Sequence, residues 1–318
     1  MLFDVIPQKL FYVLMVLVPV ALCAVLLKLF KNKLPRDQGR EFAFNGKLSA
    51  GKVRGAGIVF VCSFIATALL FVPVSLEYIF YYILIFLGML SGYLDDRSEK
   101  PWGEYKKGAI DLVISALTAA NFVYFNQDLT GINLFGFSLT IPPVIFGIIA
   151  TVLVWMLINA TNCSDGIDGF CGSLSIVSMI SALFAIRFLG TDSNTSLMII
   201  LMVLILIPYL WSNSEPSTMM MGDAGSRALG LFLCICIFKT GNILLAIPLC
   251  FMLCLDGLLG IVKVSLIRFL KMKNAFKNIR TPLHDHFRKN KGWSNTQVIY
   301  RFCMIQAVIS AVTLIMIK

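Results

Sequence analysis

Long apolar runs constrain the fold of this chain more than any other feature of its sequence. A transmembrane helix needs about 20 mostly apolar residues to cross the hydrocarbon core of a bilayer. Runs of this kind cover residues 9–30, 54–75, 76–94, 108–125, 142–160, 169–189, 195–212, 223–240, 242–268 and 296–317. Charged residues make up only 14% of the chain, against about 25% in soluble domains. The sequence therefore predicts an all-α polytopic membrane protein with about ten transmembrane helices, forming a single domain over residues 1–318.

The basic residues predict the orientation of these spans. The net charge of +10 is concentrated in the loops 31–54, 97–107 and 268–291, whereas the loops 126–141 and 190–194 contain no Lys or Arg. Cytoplasmic loops of membrane proteins carry the excess of Lys and Arg. The basic loops are therefore expected in the cytoplasm and, with ten spans, both termini outside it. The positive charge reflects membrane topology and does not indicate a nucleic-acid partner.

A polar stretch interrupts the apolar sequence between the fifth and sixth spans. It runs from Asn159 to Gly169 as Asn-Ala-Thr-Asn-Cys-Ser-Asp-Gly-Ile-Asp-Gly. Unpaired carboxylates and amides cost several kcal/mol in lipid, so the stretch must lie at a membrane face or in a wet cavity. Asn162, Asp165 and Asp168 recur at every third position, which lines one side of a helical turn. Taken alone, the stretch is also explained as a polar loop rich in turn residues.

Three further polar segments fall on the same predicted cytoplasmic side. Asp95 and Asp96 end the third span, Asp223 lies between two glycines at the start of the eighth, and His284 and His286 follow the ninth. Carboxylates at a membrane boundary suit Mg²⁺ held against phosphate or a general base, although a helix cap explains an isolated Asp pair more simply. Histidines among basic residues suit phosphate contact or proton handling. These segments are expected to form one site at the cytoplasmic face.

In this order the polar segments resemble the motifs of the polyprenyl-phosphate N-acetylhexosamine-1-phosphate transferase superfamily. The matching residues are Asp95-Asp96, Asn159-x-x-Asn162-x-x-Asp165-Gly-Ile-Asp168-Gly169, Asn213 with Met221-Gly222-Asp223-Ala-Gly-Ser226, and Pro282-Leu-His284-Asp-His286-Phe287. The resemblance covers essentially the whole chain. The last motif and the number of spans are similar to the branch of the superfamily whose donor is UDP-N-acetylmuramoyl-pentapeptide.

The resemblance implies a Mg²⁺-dependent phosphoglycosyl transferase of the bacterial plasma membrane. In that branch, undecaprenyl phosphate attacks the β-phosphate of the UDP donor, releasing UMP and leaving lipid I for peptidoglycan synthesis. Such a transfer needs a metal ion and well-placed cations more than an elaborate nucleophile. The resemblance leaves open a homodimer, and it leaves open direct attack or a covalent intermediate.

The resemblance also implies roles for individual residues. Asp223 is the leading Mg²⁺ ligand and Asp168 a second one, while Asp95 accepts a proton from the lipid phosphate or joins the metal site. Together with Asp223, the catalytic set is Asp95, Asp96, His284 and His286, the two histidines contacting the diphosphate or the sugar. The substrates are bound by Lys107, Asn159, Asn162, Asp165, Asp168, Gly169 and Asn213.

The chain departs from the family's pattern at several positions. Asp285 replaces the middle residue of the usual histidine triplet, so a middle imidazole is not required here. The usual motif of the first loop is replaced by Gly-Lys-Val-Arg-Gly-Ala-Gly over residues 51–57, which leaves open whether Lys47 or Lys52 contacts phosphate. Met220 replaces an aromatic residue, so stacking on the base must come from elsewhere.

Two alternative functions are weighed against this one. A sister transferase using UDP-N-acetylglucosamine would have a Leu-His-His form of the last motif, which the chain lacks. A secondary transporter would show inverted repeats and polar groups near the centres of its spans. No internal symmetry is evident, and Asp95, Asp165, Asp168 and Asp223 lie at the ends of spans.

Overall fold

The computed structural model describes residues 7–39, 49–134, 137–272 and 276–318, and 76% of the chain is helical. The helices of the described part are α1 Gln8–Phe30, α2 Gly57–Phe71, α3 Leu76–Arg97, α4 Glu104–Phe125, α5 Pro143–Ser164, α6 Phe170–Leu189, α7 Ser193–Asn213, α8 Gly222–Phe238, α9 Ala246–Leu249, α10 Phe251–Phe269, α11 Leu283–Lys291 and α12 Asn295–Ile317. The described residues also include two short 3₁₀ turns, Gln127–Leu129 and Ile243–Leu245.

Each predicted span coincides with a helix or a broken helix, but not all are long enough to cross a membrane alone. Among the described residues, seven helices have the necessary length and hydropathy: α1, α3, α4, α5, α6, α7 and α12. The segment Ile243–Leu249 and helix α10 form an eighth span if they are counted together, with a bend of 90° between them. Helix α2 has 15 residues and α8 has 17. The helical, polytopic class is confirmed, and the count of ten stays a prediction.

A small β-hairpin departs from the all-α expectation. Strand β1, Gly131–Leu134, pairs antiparallel with β2, Phe137–Thr140, in the connection between α4 and α5. Strands of four residues produce no apolar run, and a two-stranded hairpin is marginally stable without packing. The hairpin contacts the 3₁₀ turn before α9, so its stability depends on tertiary contacts that the sequence pattern did not reveal.

Helix ends carry clear local signals. Ser294 and Gln297 form a capping box at the start of α12, since the Ser294 side chain accepts the Gln297 N–H and the Gln297 side chain accepts the Ser294 N–H. Asp192 accepts two backbone N–H groups at the start of α7. Gly190 ends α6 with φ +67°, a conformation that glycine adopts without steric cost. These caps satisfy backbone groups that the helices leave unpaired.

Helix α8 lies at the centre of the molecule, and all of its residues are buried. It packs against α2, α3 and α5. A Cβ on Gly92 of α3 would lie 2.3 Å from the carbonyl carbon of Asp223, and one on Gly57 of α2 would lie 2.1 Å from the backbone N of Gly225. Small residues at helix crossings allow the close van der Waals packing that holds helices together in lipid. These crossings fix the position of the N-terminus of α8.

Hydrogen bonds and ion pairs connect the helix ends at one face of the bundle, which we call the site face. The connected ends are the C-termini of α3, α5 and α7 and the N-termini of α4, α6, α8 and α12, together with the loop before α2. Every polar segment singled out in the sequence lies at this face or in the segment 276–291 that packs against it. The segments therefore share one face of the bundle, and that they form a single active site stays a prediction.

The opposite face of the bundle contains a second buried ion network. The Lys239 ammonium at the end of α8 lies 2.8 Å from Glu77 Oε1 and 3.0 Å from Asp192 Oδ2, and it donates to Asn126 Oδ1 at 2.8 Å. Tyr78 donates a hydrogen bond to the same Asp192 oxygen. This network connects the far ends of α3, α4, α7 and α8.

Candidate active site

Asp223 is a buried carboxylate of the site face with three cationic neighbours. It is the second residue of α8 and is 5% exposed. Its oxygens lie 3.2 Å from Arg54 Nη2, 3.3 Å from Lys107 Nζ and 3.5 Å from Arg227 Nη2. Three cations from three different elements therefore converge on one buried carboxylate.

Asp95 shares a cation with Asp223. The Lys107 ammonium forms an ion pair with Asp95 Oδ2 and another with Asp223 Oδ2. The second oxygen of Asp95 accepts the backbone N–H of Trp102 at 2.7 Å, which fixes the carboxylate relative to the loop between α3 and α4. Asp95 and Lys107 thus lie beside Asp223, and their roles toward substrate and metal stay predictions.

Asp96 has a different environment from its neighbour. Its side chain is fully buried, and its two oxygens accept the backbone N–H groups of Asp223 and Ala224, both at 3.1 Å. Arg54 Nε lies 2.8 Å from the first of these oxygens. A carboxylate at a helix N-terminus satisfies unpaired N–H groups and interacts favourably with the helix dipole. Asp96 therefore caps α8, with its oxygens occupied by protein donors.

Arg54 was missed as a site residue by the sequence analysis. It lies between Asp37, Asp96 and Asp223, with nitrogen–oxygen distances of 3.1, 2.8 and 3.2 Å. Burial lowers the pKa of this guanidinium, but the surrounding carboxylates raise it more, so the net shift is upward. Its position in a basic, glycine-rich loop was the available signal, but nothing in the loop separates Arg54 from the other basic residues there.

The ion pairs of this region form one connected network, which we call the Asp223 network. It contains the carboxylates Asp37, Asp95, Asp96, Asp111 and Asp223 and the cations Arg54, Lys107 and Arg227. Arg227 joins Asp223 to the buried Asp111, 2.9 Å from its Nη1. With all groups ionised, five carboxylates against three cations leave a formal charge of −2 on the described members. Such a network favours an added dication.

The residues expected to bind the nucleotide are divided among several contacts. Asn162 donates to Ser226 Oγ at 3.0 Å and lines a cavity of about 280 Å³ with Asp95, Asp96, Lys107 and Asp223. Asp165 ends α5, and its charge contributes to the raised pKa of Arg54. Asn159 lies one turn earlier and donates to Trp155 O within the same helix. Asn162 and Asp165 are thereby close to the Asp223 network.

Asp168 lies in a separate ion pair. Its Oδ2 is 2.9 Å from Lys52 Nζ and accepts the backbone N–H of Ser217 at 3.1 Å. Of the two lysines left open for the first loop, Lys52 reaches the motif residues, while Lys47 lies outside the described residues. The assignment of Asp168 as a metal ligand stays a prediction, because the carboxylate that shares a cation with Asp223 is Asp95.

The side-chain oxygen and nitrogen of Asn213 both form hydrogen bonds to the backbone of neighbouring segments. Its Oδ1 accepts the backbone N–H of Gly169 at 2.8 Å, and its Nδ2 donates to Met219 O at 2.7 Å. The residue is 3% exposed. Asn213 therefore ties the end of α7 to the start of α6 and to the loop before α8. Gly169, with φ +78°, supplies the N–H for this contact.

The two histidines have different partners. His284 is 2% exposed, and its Nδ1 lies 2.8 Å from Asp256 Oδ2, whose other oxygen accepts the His284 backbone N–H at 2.7 Å. Burial lowers the pKa of His284, but Asp256 raises it more, so the pKa lies above its ordinary value. His286 is half-buried and accepts the Arg280 backbone N–H at 3.3 Å. Neither imidazole has a described contact with the Asp223 network.

Asp256 was also missed by the sequence analysis. It is fully buried in α10 and accepts a hydrogen bond from Ser164 Oγ at 2.9 Å. A Cβ on Gly166 would lie 2.4 Å from His284 Nε2, so Asp256 holds the imidazole against the α5–α6 connection. A carboxylate inside a predicted span is itself a signal of a functional role, and that signal was available in the sequence.

The donor set of the Asp223 network fits a hard divalent cation. Among the described residues, no three His, Cys, Asp or Glu side chains form a metal-binding group. Mg²⁺ usually binds one or two carboxylates together with substrate phosphates and water, so a larger protein group is not required. Asp95 and Asp223 already share the Lys107 ammonium, which shows that their oxygens converge on one cation.

Comparison with known proteins identifies the family of this chain. Residues 78–241 match Glycosyl transferase family 4, and the chain belongs to this family. It is 36% identical over 295 residues to the phospho-N-acetylmuramoyl-pentapeptide-transferase of Treponema pallidum (strain Nichols), covering 87% of this chain and 81% of the relative.

Two more distant relatives have the same name. Identity is 34% over 178 residues with the protein of Dictyoglomus turgidum, which covers 54% of this chain and 55% of the relative. With the protein of Desulfotalea psychrophila it is 27% over 341 residues, covering 94% of this chain and 91% of the relative. The similarity thus extends over nearly the whole chain.

Proposed function

We propose that this chain transfers phospho-N-acetylmuramoyl-pentapeptide from its UDP donor to undecaprenyl phosphate, which gives lipid I and UMP. It is an enzyme of peptidoglycan synthesis. The observation that carries the proposal is the Asp223 network, in which Asp95 and Asp223 share Lys107 at the junction of α3, α4 and α8. Relatives named for this reaction support the choice of substrates.

Mg²⁺ would be bound by Asp223, with Asp95 as the second carboxylate. When bound, it neutralises charge on the phosphoryl oxygens of the donor and of the transition state. Lys107, Arg54 and Arg227 hold the two carboxylates in place and supply fixed positive charge. Positioned cations in a partly dry site stabilise developing charge without reorganisation.

The polar groups of this chain orient the reactants. Asp95 lies at the end of α3, with one oxygen held by the Trp102 N–H and the other paired with Lys107. This second oxygen is the one that would bind Mg²⁺ beside the lipid phosphate. Asn162 and Asp165 face the nucleotide from α5. His284 of α11, which Asp256 holds against the α5–α6 connection, contacts the diphosphate or the sugar.

An apolar groove supports a lipid acceptor. It has a volume of about 320 Å³ and lies between α5 and the bent α9–α10 segment, lined by Leu153, Leu157, Phe251, Leu255 and Val262 among others. The groove follows α10 to Val262, directly before Lys263, which lines a polar cavity at the site face. A prenyl chain in this groove would bring its phosphate to the site face.

The protein is a multi-pass membrane protein, and the site face is proposed to be cytoplasmic. The support is the distribution of Lys and Arg, which are concentrated in the loops of this face and absent from the loops 126–141 and 190–194 of the other. Both termini are then extracytoplasmic. A UDP-linked donor, which is made in the cytoplasm, meets the site directly in this orientation.

The test is UMP release by the purified, detergent-solubilised protein with undecaprenyl phosphate and UDP-N-acetylmuramoyl-pentapeptide, with and without Mg²⁺. Asp223→Ala is expected to abolish release, whereas Asp128→Ala, an exposed carboxylate of the opposite face, is expected to retain it. Release with UDP-N-acetylglucosamine in place of the muramoyl donor would contradict the proposed substrate. No release with either donor would contradict the reaction.

A further inference from the structure

The cavity around Asp223 is too small for the whole donor. It measures about 280 Å³, whereas pockets for drug-sized ligands run from about 300 to 1,000 Å³. A UDP-linked muramoyl pentapeptide is larger than such a ligand. The donor must therefore extend beyond this cavity.

A larger cavity adjoins this site. Its volume is about 1050 Å³, and it lies between α10, the segment 277–282 and α11. Cys163 at the end of α5, Gly166 in the α5–α6 connection and His284 form one of its walls. Asn162, which directly precedes Cys163, lines the smaller cavity around Asp223. The two cavities are therefore lined by consecutive residues of α5.

The walls of this cavity are strongly basic. Lys263, Lys277, Arg280 and Lys289 line it, and Asp285 is its only acidic lining residue in the part of the chain that the structure describes. Asp285 is already paired with Arg288 at 3.1 Å, and the Lys263 ammonium donates to Ile279 O at 2.6 Å.

The other three cations have no such partner. Lys277, Arg280 and Lys289 form no ion pair with any residue that the structure describes. Lys277 and Lys289 are exposed, and Arg280 is half-buried. Three cations with no acidic partner at the rim of one cavity indicate an anionic ligand.

The chemistry of the proposed donor matches this charge. In a muramoyl pentapeptide the peptide's N-terminal amine is acylated by the muramic acid, so it has no positive charge there, and its C-terminus is a free carboxylate. We propose that the large basic cavity binds the donor's peptide, with Lys277, Arg280 and Lys289 contacting its C-terminal carboxylate. This inference rests on the proposed function, since it identifies the subsite for one part of the same donor.

The test compares two donors, the natural pentapeptide and the same compound with a C-terminal carboxamide. The double variant Lys277→Gln/Lys289→Gln is expected to raise the Kd of the carboxylate donor about threefold to tenfold, the range of two exposed charge pairs. The carboxamide donor is expected to bind the wild type more weakly and to lose little further affinity in the variant. The difference between the two donors in the effect of the variant measures the contact between the lysines and the C-terminal carboxylate. Lys291→Gln, on the same helix but outside the cavity, is the matched control.

Binding and UMP release are measured separately so that the two proposals can fail independently. Equal losses for both donors in the double variant would overturn the peptide subsite, whether or not UMP is released. A loss of the same size in Lys291→Gln would also overturn it, because the effect would then be one of general surface charge. Charge-dependent binding without any UMP release would overturn the proposed reaction and leave the subsite supported.

Discussion

The carboxylate of Asp96 caps helix α8, because one of its oxygens accepts the backbone N–H of Asp223 at 3.1 Å. Its second oxygen accepts the Ala224 N–H at the same distance, and Arg54 Nε lies 2.8 Å from the first. The two acidic residues at the end of α3 therefore have separate tasks. Asp95 forms an ion pair with Lys107, and Asp96 positions Asp223, the carboxylate that shares this lysine.

We expect Asp96→Ala to lower stability by about 1–3 kcal/mol, because two N–H groups at the start of α8 lose their acceptor and Arg54 loses a counter-charge. Asp96→Asn retains one acceptor oxygen and should lose less. Both variants should release UMP more slowly, since Asp223 is no longer held in place. Thermal unfolding and UMP release measure the two effects. Asp96→Ala with an unchanged melting temperature would contradict the capping role.

Gly222→Ala should be more damaging than the same change at another left-handed glycine. Gly222 has φ +68° and Gly190 has φ +67°, so both substitutions place alanine in a conformation that costs about 1–2 kcal/mol. Only at Gly222 does the added Cβ meet a neighbour, 2.2 Å from Asp96 Oδ2; nothing lies within 4 Å of it at Gly190. The difference in melting temperature between the two variants reports this clash. Equal melting temperatures would show that Asp96 moves aside freely.

The His284–Asp256 pair should make stability depend on pH. The pKa of His284 is raised above 6.5 in the folded protein because the effect of Asp256 exceeds that of burial. Proton binding by the folded state then stabilises it fully below pH 6.5, and this contribution is lost as the pH rises through the raised pKa. We expect Asp256→Asn to cost about 1.5–3 kcal/mol below pH 6.5 and less at higher pH.

The measurement is the difference in melting temperature between wild type and Asp256→Asn across that pH range. His286→Gln serves as the control, because its imidazole accepts only one backbone N–H and is half-buried. A difference that stays constant, or that grows with pH, would contradict the charged pair.

Lys239→Met should destabilise the protein without changing the affinity of the site. Lys239 is 4% exposed, and its ammonium lies between Glu77 and Asp192 at the face opposite Asp223. Its removal leaves two carboxylates without their cation, and breaking a buried pair costs about 3–5 kcal/mol. Thermal unfolding and the KM of the donor are the measurements, with the exposed Lys9→Met as control. A raised KM with an unchanged melting temperature would contradict this structural role.

The sequence by itself determined the membrane class, the order of the motifs and their convergence at one face. These follow from local properties: apolar runs of sufficient length, the placement of Lys and Arg, and polar residues that lipid cannot accommodate. The resemblance carried by Asp95, Asp165, Asp168 and Asp223 then identified the family before any contact was known.

Only the tertiary structure decided which of these side chains share a contact. It gave Asp95 and the adjacent Asp96 different partners, and it placed Asn213 in hydrogen bonds between loops. It also brought Arg54 and Asp256 into contact with residues more than 25 positions away. It also revealed the β-hairpin and the 90° bend before α10. Such contacts depend on how closely helices cross, which is fixed by glycines such as Gly57 and Gly92 meeting another backbone. Packing of this kind is a property of two chain segments together, and neither segment's sequence specifies it alone.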